Sequence, residues 1–229
     1  MALYVIGDLH LSFGVDKPMD IFGGMWVGYE KKLETGLSVL NKSDTLVLAG
    51  DTSWGMSLEE ALPDLMWINQ FPGRKLLLKG NHDYWWTTSS KFRHFCEIHH
   101  INDLFLLQNC SYQYEEFSIC GTRGWFYEEE RGTEHDSKML NREIVRLGLS
   151  LESSPESTER LCFLHYPPIY HGYDCVKLRN YMETNGVRKC WYGHLHGKSH
   201  KLSVRGMVGG IEYNLVSADY LGFRPLRIL

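Results

Sequence analysis

Short apolar runs that stop at a glycine recur through the first third of the chain. Residues 3–6 run into Gly7-Asp8, 45–49 into Gly50-Asp51, and 76–79 into Gly80-Asn81-His82-Asp83. Continuous apolar runs bounded by turn residues predict strands buried on both faces. Between them, residues 29–42 predict a helix, with Leu33, Leu37 and Leu40 at helical spacing. Ser57-Leu58-Glu59-Glu60 reads as a capping box. Pro63 predicts a break, with a fresh helix over 64–70. Strand and helix in alternation imply βαβ units and a parallel sheet.

The later pattern differs. Strands are predicted at 104–107, 117–120, 160–164, 189–192, 212–216 and 226–229. One long helix is evident, over 134–151, with Leu140, Ile144, Leu147 and Leu151 on one face. A second, more antiparallel sheet packed on the first is therefore expected. No repeat, low-complexity tract or linker interrupts the pattern, so residues 1–229 read as a single domain.

Composition narrows the picture. Of 229 residues, 43% are hydrophobic and 13% aromatic, enough for a sizeable core and too many for disorder. A net charge of -4, with His neutral, lacks the basic footprint of a protein that wraps long nucleic acid. Residues 1–8 have no basic region and only a short apolar run broken by Asp8, which reads as a strand rather than a signal peptide. No segment approaches the apolar length that spans a bilayer. Six cysteines form no C-x-x-C pair, and buried free thiols in a reducing cytoplasm are expected.

The polar residues at the strand ends carry the chemistry. The three early strands deliver Asp8 with His10, then Asp51, then Asn81 with His82. Two later runs end the same way, at His165 and at Gly193-His194-Leu195-His196. Carboxyl ends of strands in α/β sheets are where sites assemble, because loops converge there on a rigid base. In Asp8-x-His10 and His194-x-His196, both side chains would share one side of an extended chain. Carboxylate, imidazole and amide donors without thiolate suit Mn, Fe, Zn or similar divalent ions.

The ordered series Gly7-Asp8-Leu9-His10, Gly50-Asp51, Gly80-Asn81-His82-Asp83, His165, Gly193-His194-Leu195-His196 resembles the calcineurin-like metallophosphoesterase superfamily. D-x-H or G-D alone is common in proteins; the complete set in order is far more specific. The resemblance implies a four-layer α/β/β/α sandwich of two mixed sheets, with a dinuclear metal site at strand C-terminal ends. It implies two divalent ions (Mn2+, Fe2+/3+ or Zn2+). Asp8, His10, Asp51 and His196 would hold the first, and Asp51 would bridge to the second, completed by Asn81, His165 and His194. His82 would be a catalytic imidazole and no ligand, with Asp83 orienting neighbouring groups.

The chain also departs from familiar branches. After Gly50-Asp51 it reads Thr52-Ser53-Trp54, without the Asp-Arg pair that protein phosphatases of the superfamily carry, so the partner of His82 is open. Tryptophan-bearing loops follow the site motifs at Trp54, Trp85 and Trp125. These rings are core residues or walls that stack a flat substrate group. Arg123, between glycines, is a clamp for phosphate or carboxylate or else a solvated cation; Lys17 is a second such residue. This combination is similar to a bacterial group of predicted phosphohydrolases. His99, His100, His135, His171 and His200 match no motif position.

Three functions fit these residues: hydrolysis of a small phosphate mono- or diester, a nuclease of the same fold, and a scaffold that has lost catalysis. The retained His82 and complete ligand set favour the first. A small phosphate-ester substrate, no membrane and no long nucleic acid are the expected partners.

Overall fold

The computed structural model describes residues 1–127 and 132–229. Its strands are Leu3–Ile6 (β1), Thr45–Leu48 (β2), Arg74–Leu77 (β3), Leu104–Leu106 (β4), Tyr112–Tyr114 (β5), Phe117–Thr122 (β6), Glu159–Leu164 (β7), Ile169–Tyr170 (β8), Tyr173–Asp174 (β9), Lys189–Tyr192 (β10), Gly206–Val208 (β11), Ile211–Leu215 (β12) and Leu226–Arg227 (β13). The α-helices are Tyr29–Leu37 (α1), Leu58–Asn69 (α2), Ser89–Ile98 (α3), Glu134–Glu152 (α4) and Val176–Thr184 (α5).

Two mixed sheets result. The first has the order β13-β1-β2-β3-β4, parallel except for β13. The second has the order β11-β12-β10-β7-β6-β5. Its four central strands run parallel, and only the edges β5 and β11 are antiparallel. The more antiparallel second sheet expected from sequence is thus corrected. The reason is α5, which joins α4 as a crossover helix and was invisible as a periodic run.

Burial divides the apolar residues into three layers. Val5, Val47, Leu76, Leu161, Phe163 and Trp191 fill the space between the sheets. Leu33 and Leu37 of α1, Leu65 and Ile68 of α2 and Phe92 of α3 cover the outer face of the first sheet. Leu140, Leu147 and Leu151 of α4, with Leu178 and Met182 of α5, cover that of the second. Alternation along each central strand feeds one core on each side, so helices must cover both outer faces. This is the α/β/β/α sandwich. Among the described residues, no helix is long and apolar enough to cross a membrane.

Two helix expectations change. Helix α1 stops at Leu37, short of residue 42. Helix α2 runs through Pro63 without a break. The missing proline N–H would have met the carbonyl of Glu59, an exposed residue where water can serve, and proline's fixed φ suits a helix. The buried stripe Ala61, Leu65 and Ile68 holds the helix on the sheet, while Ser57 caps it by accepting from Glu60 N.

Candidate metal centre

The loops after β1 and β2 extend the parallel ladder beyond the strands. Asp8 N donates to Gly50 O at 2.8 Å, and His10 N to Asp51 O at 2.9 Å. The chain then leaves extended geometry. Asp8, His10, Asp51 and His194 have φ of 60°, 49°, 50° and 71°. These are half of the eight non-glycine positive-φ residues among those described. Asp8 and His10 therefore do not share one side of an extended chain, as alternation predicts; left-handed turns bring them together. Such backbone costs on the order of 1–3 kcal/mol per residue and is typical of functional sites.

Glycine precedes the donors for a steric reason. A Cβ on Gly80 would collide with the Asp51 carboxylate, and one on Gly193 with that of Asp8. Asp51 and Asp8 are thus each packed against the backbone of another strand end.

Two groups emerge. Asp8, His10 and His196 bring donor atoms within 4.8 Å of one another, as do Asp51, His165 and His194. Asn81 adds its Oδ1, 2.6 Å from His165 Nε2. The Asp51 carboxylate faces both groups, with Oδ2 at 3.4 Å from His165 Nε2 and 3.8 Å from His10 Nε2. His10 Nε2 and His196 Nε2 lie 3.4 Å apart. The Nδ1 of His165 lies 3.1 Å from Ala49 O; donating there would turn the Nε2 lone pair toward Asp51 and Asn81.

The electrostatics call for cations. Burial, and then the Asp8 carboxylate, push the Asp51 carboxyl up to about 8. Burial, then His165, pull His194 down to about 3. His10 falls well below the usual imidazole range through burial and then His196. A divalent ion beside Asp51 would favour its ionised carboxylate, and the unprotonated His10 and His194 rings offer lone pairs to such an ion. The donor set fits two such ions.

His82 stands beside the groups and belongs to neither. Its ring is half-buried, 4.4 Å from that of Trp54 and 5.7 Å from that of His10. Among the described residues its side chain has no hydrogen bond or ion pair, so Trp54 is the neighbour where an acidic partner was open. Trp54 also stacks on His10 at 4.9 Å and carries Lys17 Nζ over its face at 5.3 Å.

Asp83 and Trp85 both lie in the interior. Asp83 is fully buried and does not face the cleft. Its carboxylate accepts from the backbone N–H of Asp51, Thr52, Ser53 and Gly80 and from Trp85 Nε1, at 2.7–3.3 Å. It locks the loops after β2 and β3 together. Trp85 is 2% exposed within the core under α3, so it is no substrate wall. Arg123 sits at the end of β6, paired with Glu143 at 3.3 Å and covered by Trp125.

Asp219 was missed. It contacts His196 Nδ1 at 2.9 Å, accepts from Gly197 N at 2.9 Å, and lies 3.2 Å from His200 Nε2. With Asp8 it outweighs burial and raises His196 to about 10. A signal existed, since the run 212–216 ends at Ser217-Ala218-Asp219 like the other strand ends. Asp219→Asn is expected to weaken metal binding about 10- to 100-fold. A Mn2+ titration of the purified variant reads this directly, and wild-type affinity would remove the orienting role.

Fold and paired donor groups together define a metal-dependent phosphoesterase. The chain belongs to the calcineurin-like phosphoesterase family, matched over residues 1–198. No curated protein matches the sequence. Among solved structures it is similar to the phosphopantetheinyl hydrolase PptH of Mycobacterium tuberculosis, with 13% identity, a TM-score of 0.65, and coverage of 100% of this chain and 95% of that one. A protein of unknown function from Aquifex aeolicus gives 16% identity, a TM-score of 0.54, and coverage of 99% and 95%. A protein from Thermus thermophilus gives 10%, 0.55, and 99% and 97%. At these identities the likeness is one of fold.

Proposed function

We propose that the protein hydrolyses small phosphate esters at the two donor groups. Asp8, His10, Asp51 and His196 would hold one divalent ion, and Asp51, Asn81, His165 and His194 the other. The observation that carries this reading is the Asp51 carboxylate, which faces a histidine of each group within 3.8 Å. Two bound ions would supply a polarised phosphoryl group and an activated water at neutral pH.

The chain's own residues do the rest. Burial, and then His165, hold the His82 imidazole below its usual range, which favours the neutral ring. A neutral ring offers an N–H to the departing oxygen and stabilises its growing charge. Trp54 fixes the ring plane from one side. Asp83 keeps Asp51 and the Gly80-Asn81-His82 loop in register. Six free cysteines support a reducing, cytoplasmic setting.

Comparing an aryl phosphate monoester with the matching diester, on protein loaded with Mn2+, Fe2+ or Zn2+, tests the reading. Metal-dependent turnover of at least one ester is the expected result, and the ratio assigns phosphatase or phosphodiesterase. Cleavage of neither ester with any of the three metals would overturn it.

A further inference from the structure

Past the ends of β3 and β6 lies a pocket whose charges do not balance. It occupies about 70 Å³. That is several times the ~10–15 Å³ one water requires. Lys79, Arg123 and Arg146 line it, with Glu143 and Thr122. Glu143 is fully buried and accepts from Thr122 Oγ1 at 2.5 Å, Arg146 at 2.5 Å and Arg123 at 3.3 Å.

Tying α4 to β6 explains those pairs. It leaves two features over. Lys79 is half-buried and, among the described residues, has no hydrogen bond or ion pair. The Nε of Arg123 is buried without an acceptor, in a side chain only 13% exposed. Arg123 and Arg146 share Glu143, and Arg146 is 44% exposed, so the unmet charge is that of the half-buried Lys79 with the unpaired Nε of Arg123. Uncompensated buried charge is costly, and a buried donor without an acceptor adds to that cost. A phosphate group carries about -1.5 to -2 charge and accepting oxygens, which matches both deficits.

The backbone ties the lining of the pocket to the donor groups. Lys79 directly precedes Gly80-Asn81. The Arg123 carbonyl accepts from His165 N at 3.2 Å and Tyr166 N at 2.9 Å. The Tyr166 ring lies 4.6 Å from that of His194 and 6.0 Å from that of Trp125, which covers Arg123.

We propose that Lys79, Arg123 and Arg146 form a subsite for a second phosphate group of the ester cleaved at the donor groups, so that the preferred substrates carry two phosphates. This deepens the phosphoesterase reading and rests on it.

Crystals of the Mn2+-loaded protein soaked in sodium tungstate test the site, read by tungsten anomalous density. Tungstate against Lys79 and Arg123 Nε, absent in Lys79→Met, is expected; a pocket without tungstate overturns the subsite. In solution, kcat/KM is compared for sugar and polyol bisphosphates against their monophosphates. The wild type should favour bisphosphates about tenfold or more, the worth of one charge-assisted hydrogen bond. Lys79→Met should erase that preference, and Lys79→Arg should restore part of it. Equal preference in wild type and Lys79→Met would mark any tungstate as adventitious and overturn the proposal. If neither ester class is cleaved although tungstate fills the pocket, the phosphoesterase reading has failed first. If monophosphates are cleaved but the pocket stays empty, only the subsite has failed.

Discussion

Asp51→Asn is expected to reduce bound metal from two ions per chain to one or none, with activity falling to that of the metal-free protein. The Asp51 carboxylate is the group that faces both histidine sets, at 3.4 and 3.8 Å. An amide there removes a charge, and one of its atoms offers hydrogens where a lone pair is needed. The loop should survive, because His82 N donates to Asp51 Oδ1 at 2.7 Å and an asparagine oxygen can accept the same bond. Metal analysis after dialysis, beside a thermal melt, separates ligand loss from unfolding. Retention of two Mn2+ per chain would eliminate Asp51 as the bridge.

The same residue predicts a pH effect in metal-free protein. Its carboxyl is raised to about 8 in the folded state, against 3.8 as the ordinary value. The folded state therefore binds this proton more tightly than the unfolded state does. That stabilisation is complete below about pH 4 and disappears as pH rises through 8. Above pH 8, metal-free Asp51→Asn should melt higher than metal-free wild type, and the gap should close toward pH 4.

His82→Ala is expected to lower turnover by about 10²–10⁴, the usual range for removing a proton donor at the leaving group. Metal content should stay at the wild-type level, since the His82 ring belongs to neither donor group. The loss should be larger for alkyl esters than for nitrophenyl esters, whose leaving oxygen needs less help. A uniform loss across leaving groups would mean that the ring positions substrate and stabilises no departing charge. Unchanged turnover would end any role for it.

Much of the site could be read from the residues in order. Every predicted strand exists, and each metal-ligand candidate lies past a strand end. Ordered apolar runs report buried strands directly, so this part was local information. What was lost depended on three-dimensional neighbours. Helices α3 and α5 are short and rich in polar residues, so periodicity did not reveal them. That Asp83 orients neighbouring groups was expected from its motif, but which groups was not: five N–H donors from two loops surround it. Trp85 looked like a wall, but Trp54, one strand over, is the ring against His82. Asp219 stands well outside the motif region, and only folding brings it to His196. The parallel centre of the second sheet depended on seeing α5 as a crossover.

The contact that joins Asp8, near the amino terminus, to His194 and His196, near the other end, has a consequence for how the protein comes into being. The backbone N–H of His194 bonds the Asp8 carboxylate across a sequence separation of 186. Gly7 likewise bonds Val216, and Ala218 bonds Gly7. These contacts close only once both segments have been made and the intervening residues brought round. Asp8 and His10 must wait, unliganded, for partners that arrive last. Closure across so long a loop is entropically late as well. Metal capture would therefore follow the joining of these two distant segments.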